Sequence, residues 1–160
     1  MRPHRHVEDL MSDVPGLDTS VQTTHLWLHD IERELGFKNE RAAYAALRAT
    51  LHALRDRLPV ELVAHFGAGL PTMVRGIYYD GWHPSAARLK AAHDENLGAS
   101  MQHDLRGHDE LQNGDAVAAK VMRVIDQHMD PGQIDHVFDA WPKEVRELWR
   151  AAWEGRGRRA

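Results

Sequence analysis

The sequence predicts an all-α protein, an internally duplicated helical bundle of two pseudo-symmetric units of about four short helices each. Three observations carry that reading. The stretch from Leu58 to Trp82 returns at a constant offset of 71 residues with no gap, so that Leu58 meets Met129, Val63 meets Ile134, His65 meets His136 and Phe66 meets Val137. Further along, Leu70 meets Trp141, Pro71 meets Pro142, Val74 meets Val145, Arg75 meets Arg146, Ile77 meets Leu148, Tyr78 meets Trp149 and Trp82 meets Trp153. Apolar residues recur at helical spacing between Pro, Gly and Thr punctuation. No stretch alternates with period two for long enough to make a strand.

Residues 1–20 lie outside the duplication and are punctuated by Pro3, Pro15 and Gly16. They are expected to form a flexible arm, with a docking peptide as the alternative. The first repeat is expected to span 21–84. Its first helix should be capped by Thr23 or Thr24 and end at Gly36, with Trp27, Leu28, Ile31 and Leu35 on one apolar face. A second helix over about 40–57 carries Ala43, Ala46, Leu47, Thr50, Leu51 and Leu54 inward, and Arg41, Arg48, Arg55 and Arg57 fall outside that stripe. Pro59 and Pro71 suit the first turns of two short helices, where a missing N–H costs nothing. These point Val63 and Phe66, then Val74, Ile77 and Tyr78, to the core, and Gly81 and Pro84 close the unit.

The second repeat, 85–156, follows the same plan. One helix should cover about 94–106 with Leu97, Met101 and Leu105 inward, and another about 115–129 with Val117, Val121, Met122, Ile125 and Met129. Asp130 and Pro131 open the third, and Pro142 opens the last, which carries Val145, Leu148, Trp149 and Trp153. Residues 157–160 are expected to be a disordered tail. Neither repeat buries enough area alone, so a shared interface should close the core.

A chain of 160 residues buries roughly 70% of its unfolded surface. The net charge of −4 divides evenly, 9 Lys/Arg against 11 Asp/Glu in residues 1–80 and 11 against 13 in 81–160. Neither half is a basic surface for phosphates, which argues against nucleic acid as a partner. No apolar run approaches the ~20 residues needed to span a bilayer, and no secretory signal is visible, so no membrane association is expected. The absence of cysteine removes thiol chemistry and suits a reduced cytoplasm.

The stretch DRLPVELVAHFGAGLPTMVRGIYYDGWHPS, preceded by LRATLHALRDRLP, resembles a bacterial family known as domain of unknown function 2267. DQHMDPGQIDHVFDAWPKEVRELW resembles the second half of the same family, and the likeness covers about residues 23–153. It implies a helical bacterial cytoplasmic protein with an internal repeat, and it implies no activity.

The residues themselves offer little catalytic chemistry. His25 and His29 share a helix face, but Leu26 stands where a zincin needs glutamate and no third histidine follows on that helix. No Glu-x-x-His tetrad for a di-iron centre occurs. His4 and His6 are a loose His-x-His tail. His65 and His136 are the histidine pair that the duplication preserves, each expected to bond a helix-end carbonyl, with a pH-sensitive pair as the alternative. The His-Asp neighbours at 93–94, 103–104 and 108–109 point apart on a helix. Ser12, Ser20, Ser85 and Ser100 are the only serines, none in a nucleophile elbow, and GAGL at 67–70 is no phosphate loop. The sequence therefore predicts no enzyme, no catalytic residues, no cofactor and no metal site.

It predicts instead a non-catalytic interaction or scaffold module, binding an unidentified protein or itself. The candidate surface is Arg75, Tyr79, Asp80 and His83. Tyr79 matches Arg150 in the second repeat, a residue that would not be buried unpaired, and it lies four residues from Arg75, close enough to stack. The alternative is a small-molecule- or metal-binding bundle with a pocket between the repeats, lined by Trp27, Tyr78 or Trp149.

Overall fold

A computed structural model describes residues 14–154, and among these the regular structure is all helix, without a strand. In order the helices are α1 (Pro15–Leu35), α2 (Glu40–Arg55), α3 (Val60–Ala68), α4 (Thr72–Tyr79), α5 (Ala86–Asp94), α6 (Leu97–Met101), α7 (Gly114–His128), α8 (Pro131–Phe138) and α9 (Lys143–Glu154). None is long and apolar enough to cross a membrane. The tail at 157–160 and most of the arm at 1–20 fall outside the described residues.

The first helix starts earlier than its threonines suggest. Pro15 occupies the first turn, so Ser20 and its neighbours are already helical. Thr24 is inside the helix, where its hydroxyl donates to the Ser20 carbonyl at 2.7 Å rather than capping anything. Gly36 ends the helix in the left-handed conformation (φ 84°) that a side chain would strain. Side-chain caps come later. Asn39, Ser85, Asn96 and Asn113 each accept from the backbone N–H three residues on, and Asp130 accepts from that of Gly132. Pro59 and Pro71 precede their helices rather than entering them.

The helix expected over 94–106 is divided. Asn96 breaks it by capping α6, and α9 reinforces the break: Glu144 Oε1 accepts from Asn96 Nδ2 at 2.7 Å and from the Leu97 N–H at 3.2 Å. The preceding residues form α5, which sequence periodicity does not reveal because Ala92 is its one buried residue.

At the centre lie α2 and α7, packed on each other and on α1, with α9 against α7 and α6 against both. Their alanines allow the close approach: Ala42, Ala43, Ala46, Ala49 and Ala118 are all buried. Between α6 and α7 the backbones themselves meet. A Cβ on Gly114 would stand 2.5 Å from the Gly98 carbonyl oxygen, and the Gly98 N–H donates to Asp115 Oδ1 at 3.0 Å.

The short helices α3 and α8 also pack together, which brings His65 face to face with His136, ring centroids 3.8 Å apart. The expectation that these two bond helix-end carbonyls is thus corrected: each ring takes the other as its neighbour. Trp141 crosses from the second half to the first, donating from Nε1 to the Leu54 carbonyl at 3.1 Å. Its ring stacks on Trp149 at 5.1 Å and meets the edge of Phe66 at 5.7 Å. Trp27, Tyr78 and Trp149, expected as pocket walls, are instead fully buried core.

Positions 71 residues apart carry matching burial at Leu70 and Trp141, Val74 and Val145, and Tyr78 and Trp149. Ile77 is buried where Leu148 is half-buried, and Trp153 is buried where Trp82 is half-buried. The seam between the last two helices of each half is filled from opposite sides. Tyr79 on α4 lies over Gly67 on α3, whereas Arg150 on α9 lies over the Phe138 ring at 5.3 Å from its centroid.

Candidate functional site

A cleft of about 500 Å³ opens between α2, α5 and the segment from α6 to Asp104, with Asp80 and Gly81 contributing from the end of α4. Small side chains make the space: Ala49 and Ala53 on α2 stand opposite Ala91 and Ala92 on α5. Around them the lining is strongly polar.

Two arginines of this lining are almost wholly buried, Arg55 at 2% exposure and Arg57 at 1%. Sequence periodicity places both outside the apolar stripe of α2, and the structure corrects that. Each ties helix ends together through orphan carbonyls, which favour a cation. Arg55 Nη1 donates to the carbonyls of Tyr78 and Asp80 at 2.8 and 2.9 Å, closing the end of α4, and its Nε reaches Asp56 at 2.9 Å. Arg57 donates to the Ala53 carbonyl at 3.0 Å and to the Glu95 carbonyl at 2.9 Å, joining the ends of α2 and α5. His93 adds a bond from Nε2 to the Arg57 carbonyl at 3.0 Å. Burial pulls Arg57 below the usual arginine range against the opposing pull of Glu144, Glu95 and Asp56, and the guanidinium stays charged.

The other charges lie nearer solvent. Arg48 donates to Asp80 Oδ2 at 2.8 Å and to Asp104 Oδ1 at 3.3 Å. The bond to Asp80 raises the arginine and holds that carboxyl below the usual carboxylate range. Arg88 reaches Asp56 at 3.3 Å.

His52 is the remaining wall. Its Nε2 lies 2.7 Å from the Ile77 carbonyl, which can only accept, so Nε2 carries the hydrogen. Burial pushes this imidazole below the usual histidine range, Arg55 and Arg48 push the same way, and the Ile77 carbonyl opposes. The neutral ring therefore presents an Nδ1 lone pair, 3.9 Å from Asp104 Oδ2.

The four residues singled out from the sequence do not come together as one unit. Arg75 caps α3, donating to the carbonyls of Gly67, Ala68 and Leu70 at 2.9, 3.2 and 2.9 Å. The ring neighbours of Tyr79 are Tyr78 and Trp82, at 4.9 and 5.7 Å. Asp80 turns to Arg48 and so belongs to the cleft, while His83 is exposed and lines a smaller groove of about 210 Å³ beside Trp82 and Val60. His25 and His29 face Glu40 and Glu32, at 2.6 and 3.4 Å, rather than a shared ion. Among the described residues no group of three metal-ligating side chains occurs.

With this geometry in hand, the sequence matches, over residues 24–148, the family described as an uncharacterized conserved protein (DUF2267). The chain belongs to the DUF2267 family. No curated protein matches it. In this DUF2267 chain the matched region takes in every residue of the cleft, from Arg48 to Asp104, whereas Trp149 and Trp153 lie beyond its end.

Sequence reasoning passed over the cleft, although a signal was present. Arg48, His52 and Arg55 repeat at helical spacing, and Ala49 and Ala53 between them mark a face too small to fill its own space.

Proposed function

We propose that this protein is a non-catalytic binding module that holds a small polar molecule in the α2–α5–α6 cleft. The supporting observation is a space of about 500 Å³ lined by alanines and edged by Arg48, His52, Arg88 and Asp104, within the size range of ligand sites. Alanine walls with charged edges suit a ligand recognised by its polar ends. No nucleophile with an adjacent base stands in this lining: the Ser100 hydroxyl donates to the Leu97 carbonyl at 2.6 Å.

On the same reading the two halves are repeats that meet like with like, α2 on α7 and α3 on α8, and the cleft takes α2 from the first repeat and α5 and α6 from the second. The resemblance to a bacterial family extends the proposal to a bacterial cytoplasmic protein.

The test is native mass spectrometry of the full chain together with an Ala49→Leu/Ala53→Leu variant that fills the cleft. A small adduct carried by the parent and lost by the folded variant is expected. An adduct that both carry, or one that neither carries even with a metabolite extract added, refutes the reading.

A second reading places a protein partner or a second copy of the chain at Tyr79, Trp82 and His83. It draws on Val60, which is 54% exposed beside Trp82 in the smaller groove. Sedimentation of the parent and of Val60→Ser/His83→Ala tests it, and a monomer unchanged by the substitutions removes self-association.

A further inference from the structure

Among the described residues, two acceptors in the cleft have no donor. Asp104 uses Oδ1 on Arg48, and its Oδ2 stands 3.9 Å from His52 Nδ1. The two cannot bond each other, because His52 has its hydrogen on Nε2, held by the Ile77 carbonyl. Rotating the ring would leave that carbonyl only the longer bond from the Asp80 N–H at 3.4 Å, so the backbone at the end of α4 favours this arrangement. A nitrogen placed about 2.9 Å from both acceptors sees them about 85° apart, and two tetrahedral N–H bonds, about 109° apart, reach both with each hydrogen bond bent by only about 12°. An ammonium group has that shape. The Asp104 carboxylate, shared with Arg48 through its other oxygen, matches its charge, and the neutral imidazole adds a second lone pair.

Beyond Ala53 the lining carries both signs, Arg57 and Arg88 with Asp56 and Glu95. Arg57 and Arg88 lie there, one along α2 and one across on α5. At a rise of 1.5 Å per residue, Arg57 stands about 6–8 Å along the chain from His52. Arg88 has a single, long contact with Asp56, and the Arg57 guanidinium bonds only carbonyls. An anionic group on the ligand competes there with Asp56 for Arg88.

Resting on the reading of this cleft as a ligand site, the geometry points to a small zwitterion as its ligand. The ammonium sits between His52 Nδ1 and Asp104 Oδ2, and a carboxylate or phosphate on a short linker sits toward Arg88 and Arg57.

The test is a titration of the isotope-labelled full chain, followed by the His52 imidazole nitrogens and the amides of Ala49, Ala53 and Ala92. The probes are phosphoethanolamine and γ-aminobutyrate, compared with inorganic phosphate, ethylammonium and Zn²⁺. At least one zwitterion is expected to bind about tenfold or more tightly than phosphate or ethylammonium, with a change at His52 Nδ1. Asp104→Asn and His52→Gln should each weaken that zwitterion by roughly 10–100-fold, the effect of losing a charged or buried hydrogen bond. The glutamine amide can still donate to Ile77, and an unchanged amide spectrum outside the cleft confirms that each variant folds. If inorganic phosphate binds in the cleft as well as the zwitterions do, the ammonium seat is wrong while the cleft reading stands. Binding of Zn²⁺ alone at His52 overturns the zwitterion in favour of a cation. Cleft signals that no probe moves overturn both.

Discussion

Replacing Trp141 by the residue that stands at the matching position of the first half, Leu70, tests how the two halves are joined. Trp141 is 2% exposed and is held by two rings and one carbonyl. Leucine keeps an apolar side chain but loses the stack on Trp149 and the edge contact with Phe66, and aromatic pairs contribute roughly 0.5–1.5 kcal/mol each beyond area. It also leaves the Leu54 carbonyl without its indole donor, a loss of about 1 kcal/mol or more in a buried setting. The remaining cavity adds a further ~1–2 kcal/mol. Together these destabilise the fold by about 3–6 kcal/mol, a large part of the roughly 5–15 kcal/mol that holds a domain of this size. Urea unfolding followed by circular dichroism should show the midpoint fall with the slope preserved, and calorimetry a Tm lower by roughly 6–24 °C. Trp141→Phe, which keeps a ring but not the N–H, should fall between parent and leucine. A leucine variant that melts within about 2 °C of the parent would mean that the halves are joined elsewhere.

Trp153→Ala should lose about 3–5 kcal/mol in the same assay, because its ring stacks on Phe138 at 5.1 Å and meets Trp149 at 6.4 Å; an unchanged midpoint removes it from the core. Gly114→Ala should destabilise by about 1–3 kcal/mol, since the new methyl meets the backbone of Gly98 rather than a side chain that can swing away, and a gain in stability from helix propensity would contradict the close approach. His52 adds a pH dependence. Its folded pKa is lowered, so as pH falls through about 6.5 the unfolded chain takes up the proton first and stability declines, until the folded imidazole protonates as well. His52→Gln should flatten that decline in urea midpoints between pH 7.5 and 5, and an identical slope would show that His52 is not its source.

The all-α class was open to sequence reading because core helices announce themselves. Val74, Ile77 and Tyr78 recur as Val145, Leu148 and Trp149 at one offset, and burial demands that sort of agreement. The ends of α1 and α5 were harder to see. Pro15 opens α1 without a polar cap, and α5 buries too little to leave an apolar period. The cleft escaped for a different reason. A charged residue on a helix reads as solvent-facing, yet Arg55 and Arg57 go inward because helix ends elsewhere in the chain supply their carbonyls. Those partners are 23 and 38 residues away, beyond any local pattern. Tyr79 fell between the two cases. Its matching residue Arg150 does mark a surface position, but Gly67 beneath it draws the tyrosine half inward.

The pairs Gly67 with Tyr79 and Phe138 with Arg150 also constrain what each position tolerates. One ring fills the seam in each half, contributed by the last helix in one case and by the helix before it in the other. Neither residue of such a pair can drift freely, because its tolerance depends on what the other has become. Of the two single-step routes between the arrangements, one passes through a seam with two rings and the other through a seam with none. Two rings would press on Tyr78, which is buried and held through its hydroxyl to the Val63 carbonyl at 2.8 Å, whereas losing the half-exposed Tyr79 opens a gap that water can enter. The route through the empty seam is therefore the shallower one, and Tyr79→Arg alone should cost less stability than Gly67→Phe alone.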